Sequence, residues 1–174
     1  MMDIEKRAAA IAQSEMFQGV PDTLVRRLAE IAEVQKIEAG TILAEQGSAS
    51  NKICLIVEGK VAVSAVINGL ESVVNMLDHG SWFGIFALTD KQHAGGRMRA
   101  AFPCRVLWLD AAEVKRALEQ DPRVGVMVMT RVATEIGDRY RALIQSIQRN
   151  LREEWKGLEV QLLQQEALQK QAKP

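Results

Sequence analysis

The residues with the clearest chemical pattern lie in the run FGIFALTDKQHAGGRMRA, residues 83–100. Its clustered glycines and its tight turn into a strand are typical of a loop and short helix that hold a phosphate, because open backbone N–H groups bind anions. Two positions where such a segment would carry charge hold Ile85 and Ala94. The run therefore has the outline of a phosphate site without the expected charges.

Other chemistry finds little support in the residue types present. Only two histidines occur, His79 and His93, beside turns and fourteen residues apart, so a metal-dependent enzyme lacks its ligand set. Haem would have to use these histidines, Cys54, Cys104 or a methionine, and this prediction is not favoured. No nucleophile with an adjacent base and orienting acid is recognisable. We therefore expect no enzymatic activity and no certain cofactor.

Composition describes an ordinary globular chain of 174 residues. Lys+Arg and Asp+Glu are both 22, so the formal net charge is zero and sequence-independent nucleic-acid binding is not indicated. Cys54 and Cys104 lie in apolar runs and are expected to be buried free thiols. The first residues lack the order of a secretion signal, and no apolar run is long enough to span a membrane. We expect a cytoplasmic protein.

Hydrophobic periodicity divides the chain into three segments. Residues 1–33 have helical spacing in two stretches, and Asp22 is expected to cap the second of them. Residues 34–121 alternate short Val- and Ile-rich runs with glycine turns and end in a short helix; Asn68-Gly69 predicts a hairpin. The expected fold class is α+β: an antiparallel β jelly roll flanked by N-terminal helices and a long C-terminal dimerisation helix.

Residues 122–174 form the third segment, a long amphipathic helix that would exceed about 60 Å if continuous. Its apolar stripe consists of Val132, Ile136, Tyr140, Leu143, Ile147, Leu151, Trp155, Leu158 and Leu162. An exposed helix of this length needs a partner for its stripe, which predicts a homodimer through residues 132–165. A protein partner on this helix is a further expectation. Its balanced polar face argues against membrane binding.

The order of these segments resembles the cyclic nucleotide-binding domain of the catabolite-activator and fumarate–nitrate regulator family of bacterial transcription factors. The resemblance covers about residues 14–150, and ICLIVEGKVAVS is similar to a strand pair of that family. The family's turn glycines, which need positive φ, are matched by Gly40, Gly47, Gly59, Gly80 and Gly84. Family members continue into a winged helix-turn-helix, whereas the residues after Arg149 form a Gln-rich amphipathic pattern. Direct DNA binding is therefore not expected.

The resemblance assigns family roles to positions in the run 83–100, which we call the cassette. Gly84, Phe86, Ala87 and Leu88 match its scaffold. The family's ribose-binding glutamate corresponds to Ile85, its phosphate-binding arginine to Ala94 or Gly95, and the following hydroxyl residue to Gly95 or Gly96. Loss of the arginine costs about 3 kcal/mol or more, and loss of the ribose partner about 1–3 kcal/mol. The resemblance thus implies that cAMP binding is disfavoured.

Three groups of residues complete the candidate site. Arg97 and Arg99 share one face of the next strand, where they either reach back to a phosphate or remain solvated. Ile85, Phe86, His93, Gly95 and Gly96 would line an apolar cavity suited to an apolar or weakly acidic molecule, unless side chains fill it. Arg139 and Tyr140 fall near the place where the family's long helix meets the bound base.

Two functions remain open from the sequence. The first is a regulatory module that senses a small molecule other than cAMP and signals to a protein partner. The second is a structural interaction protein with a vestigial pocket. True cAMP or cGMP binding and haem-based sensing are the less favoured readings.

Overall fold

A computed structural model describes the backbone of residues 2–67, 70–90 and 92–171 and the side chains within these ranges except at 66, 67, 70, 149–151 and 153–171. The described residues form four helices, α1 (Ile4–Gln13), α2 (Asp22–Ile31), α3 (Ala111–Glu119) and α4 (Pro122–Gln171), and a 3₁₀ helix at Ile85–Leu88. The strands are β1 (Glu33–Ile37), β2 (Ile42–Ala44), β3 (Lys52–Glu58), β4 (Val61–Ile67), β5 (Leu70–Leu77), β6 (Trp82–Phe83), β7 (Arg97–Ala100) and β8 (Cys104–Asp110). The mixed helical and antiparallel fold agrees with the expected α+β class.

The strands form two antiparallel four-stranded sheets. Their strand orders are β1-β8-β3-β6 and β2-β7-β4-β5. In the first sheet Leu55 of β3 lies opposite Leu107 of β8, and in the second Ser64 of β4 lies opposite Arg97 of β7. The predicted hairpin turn Asn68-Gly69 lies outside the described residues, although β4 and β5 pair on either side of it. The strands that the sequence predicted between glycine turns therefore form two sheets, with the turns at the sheet corners.

Positive φ at the sheet corners confirms the prediction for the turn glycines. The glycines concerned are Gly40 (φ 85°), Gly47 (77°), Gly59 (90°), Gly80 (84°) and Gly84 (72°). At Gly59 a Cβ atom would lie 2.4 Å from the carbonyl oxygen of Pro103. This corner therefore needs glycine for both its backbone conformation and its close approach to the next loop.

Two apolar cores occupy different parts of the compact unit Met1–Gly137. The helix-side core joins α1, α2, α3 and the start of α4 to one face of the first sheet. The strand-side core lies between residues of both sheets and contains the buried thiols of Cys54 and Cys104. Both thiols are free, as the sequence predicted. The predicted segments 1–33 and 34–121 consequently share the helix-side core.

The start of α2 corrects one sequence prediction. Asp22 was expected to cap this helix, but it is the first helical residue; Pro21 holds the N-cap position and no side chain caps the helix. The carbonyl oxygen of Pro21 accepts hydrogen bonds from the N–H groups of Leu24 and Val25 at 3.0 and 3.1 Å. Since proline fixes its own φ near the helical value, Pro21 starts the helix one residue earlier than the sequence pattern indicated.

Arg131 connects α4 to the turn between α1 and α2. Its Nη1 donates to the carbonyl oxygens of Met16 and Gln18 at 3.2 and 2.6 Å. Val128, about one turn earlier, and Val132, the next residue, are buried in the helix-side core. Val132, assigned by the sequence to the dimer stripe, therefore packs within its own chain. Among the described helices, none carries an apolar stretch that could cross a lipid bilayer.

Replacing Arg131 by methionine is expected to lower the free energy of unfolding by about 1–3 kcal/mol, because two carbonyl groups lose a charged donor while the aliphatic stem is kept. Urea denaturation followed by circular dichroism measures this change. Arg123→Met is the matched control, since Arg123 is exposed on the same helix. Equal stability of the two variants would contradict a stabilising role for the Arg131 hydrogen bonds.

Candidate functional site

The cassette begins at a turn that only glycine fits. Gly84 has φ 72°, and a Cβ atom there would lie 2.5 Å from the carbonyl oxygen of Lys52 on β3. The 3₁₀ helix follows, with the N–H of Ala87 donating to the Gly84 oxygen at 2.9 Å. Thr89 closes it, because both its N–H and its hydroxyl donate to the Phe86 oxygen at 2.9 and 2.8 Å. The short helix is thereby fixed against β3 at one end and capped at the other.

Ile85 and its neighbours turn into the apolar interior. Ile85 is 1% exposed, and with Ala87 and Leu88 it belongs to the helix-side core. That core also contains residues of the N-terminal helices and of α4. The position that the resemblance equates with a ribose-binding glutamate therefore holds a fully buried hydrocarbon that packs among helices.

Phe86 lies on the other side of the short helix and is half-buried. Its ring carbon Cε2 would lie 3.0 Å from a Cβ atom built on Gly95. The ring therefore packs against the bare α-carbon of Gly95, and a side chain at that position would displace it. The structure brings these two predicted site residues together.

Residues 92–96 are paired with the loop 47–50. The N–H of Ala94 donates to the Ser48 oxygen at 2.9 Å, and the Ala94 oxygen accepts from the N–H of Gly47 at 2.8 Å. His93 forms an antiparallel bridge with Ala49 and is exposed. Ala94 is 7% exposed and its backbone groups are used in this pairing. The position assigned to the phosphate-binding arginine is thus a buried methyl group.

Gly96 has no room for a side chain. A Cβ atom there would lie 2.8 Å from the carbonyl oxygen of Ser64 and 3.2 Å from Cγ1 of Val63. If the family's hydroxyl residue corresponds to Gly96, β4 would have to move to admit it. The close approach of the two backbones explains why glycine stands here.

Arg97 and Arg99 project from β7 on the face opposite to Met98 and Ala100, which are buried in the strand-side core. Nε of Arg97 lies 2.8 Å from Oε2 of Glu45, and its Nη1 lies 2.7 Å from Oε2 of Glu71. Nη2 of Arg99 lies 3.3 Å from the same Glu71 oxygen. Both guanidinium groups are therefore paired with carboxylates of this chain.

Glu71 is the centre of this charged cluster. A hydrogen bond from the hydroxyl of Ser64, followed by those from Arg97 and the nearby arginine charges, lowers the pKa of the Glu71 carboxyl. Hydrogen bonds to Glu45 and then to Glu71 raise the pKa of Arg97. Sequence reasoning missed Glu45, Glu71 and Ser64, since they lie 52, 26 and 33 residues from Arg97. Alternation within β4 and β5 could have placed Ser64 and Glu71 on this face, whereas Glu45 follows the end of β2.

The remaining candidate residues are Arg139 and Tyr140 on α4 and the residues considered as haem ligands. Arg139 and Tyr140 belong to the second unit, Asp138–Pro174, so their predicted role remains a prediction; Tyr140 is 63% exposed. Nδ1 of His79 lies 2.7 Å from the Val57 oxygen. Burial raises the pKa of the Cys54 thiol, which makes it a poor ligand or nucleophile. No group of three potential metal ligands occurs among the described residues.

The charged cluster predicts a pH dependence of stability. Because the pKa of Glu71 is lower in the folded than in the unfolded chain, its contribution is present above the unfolded pKa and disappears as pH falls through the folded pKa. We expect Glu71→Gln to reduce the loss of melting temperature between neutral and acidic pH. The control Glu38→Gln leaves it unchanged. If the melting temperatures of wild type and Glu71→Gln fall equally between neutral and acidic pH, the cluster makes no such contribution.

Comparison with known proteins supports the fold. A protein of Geobacter metallireducens described as cyclic nucleotide-binding is 23% identical with a TM-score of 0.66, covering 80% of this chain and 99% of its own. A cyclic nucleotide-binding domain of Methylobacillus flagellatus is 19% identical, with a TM-score of 0.68 and coverage of 83% and 82%. The regulatory domain of Toxoplasma gondii PKA, crystallised with cAMP, is 21% identical, with a TM-score of 0.60 and coverage of 67% and 43%.

No curated protein matches the chain at the level of sequence. The profile of the cyclic nucleotide-binding domain matches residues 34–121, which is half of the chain and includes both sheets and the cassette. Domains of this kind are regulatory, and the glycine corners and the cassette turn described above lie within the matched region. The chain therefore belongs to the cyclic nucleotide-binding domain family.

Proposed function

We propose that this chain is a regulatory module, without catalytic activity, whose ligand is not a cyclic nucleotide. The observation that carries this proposal is the burial of Ile85 and Ala94 at the two positions where the resemblance requires a glutamate and an arginine. A cyclic nucleotide would place its phosphate and ribose against two hydrocarbon side chains. A buried phosphate charge without a partner costs several kcal/mol.

The nearby arginines do not compensate for this loss. Arg97 is held by Glu45 and Glu71, and Arg99 by Glu71, on the face of β7 opposite to its buried residues. Bringing either guanidinium to the cassette would break these ion pairs and leave Glu71, which Ser64 and both arginines surround, without its cations. The charge cluster and a phosphate therefore compete for the same arginines.

A small apolar or weakly acidic molecule suits the cassette better than a nucleotide. Phe86 offers a half-buried aromatic ring, and it contacts Gly95, which has no side chain to compete with a ligand for that ring. We infer that such a ligand would contact the Phe86 ring and reach α4 through the core that contains Ile85, Val128 and Val132. Ile85, which neighbours Phe86 in the short helix, shares this core with the start of the output helix α4.

A structural interaction protein with a vestigial pocket is the second candidate. The contact between the Phe86 ring and Gly95 favours it, since this ring occupies space that a ligand would otherwise use. In both functions α4 would be the element that contacts a partner. They differ in whether any small molecule stabilises the cassette.

We further propose that α4 forms a homodimer and carries the signal to a protein partner, without direct DNA binding. Val132 is buried and Ile136 packs on the helix-side core, so the first turns of the predicted stripe are used within the chain. On the same part of α4, Val126 is 69% and Met129 36% exposed. The side chains of Leu151, Trp155, Leu158 and Leu162 lie outside those described. The dimer contact is therefore assigned to the stripe beyond Ile136 together with the exposed start of α4.

Thermal unfolding with cAMP and cGMP tests the loss of nucleotide binding. A micromolar site at about 1 mM ligand would stabilise the protein by ~4.1 kcal/mol and raise the melting temperature by roughly 8–16 °C for a chain of this size. We expect a shift below about 1 °C with either nucleotide, and the same with haem.

Octanoate serves as the apolar, weakly acidic probe that distinguishes the two candidate functions. A shift in melting temperature that Phe86→Ala changes supports sensing, and no shift supports the vestigial pocket.

Two variants make this test specific to the cassette. Ile85→Glu should lower the melting temperature, because it places a carboxylate in the apolar core, and should not create cAMP binding. Arg97→Ala should leave the response to cAMP absent. A large cAMP shift in the wild-type protein that Arg97→Ala abolishes would show that cyclic nucleotide binding is retained.

Sedimentation equilibrium tests the dimer. At tens of micromolar the wild-type chain is expected to have twice the monomer mass, whereas Leu151→Glu combined with Leu158→Glu should sediment as a monomer, because two charges on each helix would enter the apolar contact. Arg152→Glu, at an exposed position between them, is the control. A monomeric wild-type protein at this concentration would refute the proposed dimer.

A further inference from the structure

A second concave site lies among helices and away from the cassette. It is a cleft of about 240 Å³ between the start of α2, the end of α3 and the start of α4. Its lining residues are Pro21, Thr23, Leu24, Arg27, Ala117, Gln120, Asp121 and Val124. All of them belong to the compact unit Met1–Gly137. We refer to this site as the helical cleft.

The size of the helical cleft restricts its occupant. Its volume is smaller than the range of about 300–1,000 Å³ typical of pockets for drug-sized ligands. The cleft suits a single small metabolite.

One side of the cleft is suited to a carboxylate. The guanidinium of Arg27 lines it, and Nη1 donates to Oε1 of Gln120, which orients the group while its other N–H donors remain available to a ligand. Pro21 and Thr23 belong to the start of α2, where no side-chain hydrogen bond caps the helix. The helix dipole adds partial positive charge at this end, which the carboxylate of Asp22 in the first turn partly offsets.

The opposite charge is supplied by Asp121. Its Oδ1 accepts hydrogen bonds from the N–H groups of Arg123 and Val124 at 3.1 and 3.3 Å and so caps α4. This arrangement leaves Oδ2 to accept hydrogen bonds from a cationic group. The cleft thus presents one cationic and one anionic side chain.

The remaining wall is apolar. Leu24 is half-buried, Ala117 is 2% exposed and Val124 is 8% exposed, and all three also contact or belong to the helix-side core. A short hydrocarbon side chain of a ligand would contact these residues. A molecule that carries a carboxylate, an ammonium and a short aliphatic chain satisfies all three surfaces at once.

From this combination we propose that the helical cleft binds a free α-amino acid with an aliphatic side chain. Arg27 binds the carboxylate, Asp121 binds the ammonium, and Leu24, Ala117 and Val124 contact the side chain. The site is independent of the function proposed for the cassette, and it lies where α3 turns into α4. A ligand there joins α2 to the first turn of the output helix.

The test is a two-dimensional ¹H–¹⁵N NMR titration of the whole chain with L-leucine. Shift changes are expected to concentrate at residues 21–27 and 117–124 and to spare residues 84–97 of the cassette. Two analogues separate the charges: 3-methylbutylamine lacks the carboxylate, and 4-methylpentanoate lacks the ammonium. Each is expected to bind at least about tenfold more weakly, the effect of losing a hydrogen bond to a charged group.

Matched variants locate the two contacts. Arg27→Gln should reduce the affinity for leucine about tenfold or more, so that leucine binds no more tightly than 3-methylbutylamine. Asp121→Asn should likewise reduce the affinity for leucine about tenfold or more, so that leucine binds no more tightly than 4-methylpentanoate. Asparagine preserves the cap of α4 and hence the fold. Arg26→Gln is the control, because Arg26 pairs with Glu5 outside the cleft. Shift changes elsewhere, no saturable binding, or equal affinities of these variants and analogues would overturn the proposal.

Discussion

Burial of the cassette's short helix in the helix-side core is the constraint on which the rest of the structure depends. Ile85 and Leu88 pack there together with Phe17 of the N-terminal segment and Val128 of α4. A residue facing this core cannot at the same time present a charge to a ligand without a large desolvation cost. The same contacts that join the cassette to α4 therefore exclude a carboxylate from position 85. The apolar side chain at position 85 and the close packing of the helices therefore have one physical cause.

The charged face of the second sheet complements this arrangement. Glu71 holds Arg97 and Arg99 and is itself hydrogen-bonded by Ser64, which is 2% exposed. In water such pairs contribute little, but a carboxylate shared by several donors is held more strongly than an isolated surface pair. Arginines in this setting stabilise the strand order β7-β4-β5. The apolar side chains at positions 85 and 94 and the ion pairs of β7 both support the proposal that the site does not bind a phosphate.

Local features of the sequence predicted the fold well and the site less well. Turn glycines, alternating strands and the free buried cysteines follow from short-range rules, and the structure has them where the sequence indicated. Pro21 displaced the expected cap Asp22 because a ring-fixed φ begins the helix earlier. The partners of Arg97 and the joining of Arg27 with Asp121 in one cleft depend on contacts across 26 to 94 positions. A single sequence contains no signal that pairs such distant side chains.

The two candidate sites meet on the same core. Val124 lines the helical cleft and packs with Ile85 of the cassette helix in the helix-side core, so one set of apolar contacts supports both. Closely packed interiors have discrete arrangements and do not deform continuously. Suppose that an occupant of the cleft favours one arrangement of the first turn of α4, and that this arrangement changes the affinity of the cassette for its ligand. An occupant of the cassette must then change the affinity of the cleft for its own ligand by the same factor. This core is the physical means by which the proposed ligand of either site would be coupled to α4.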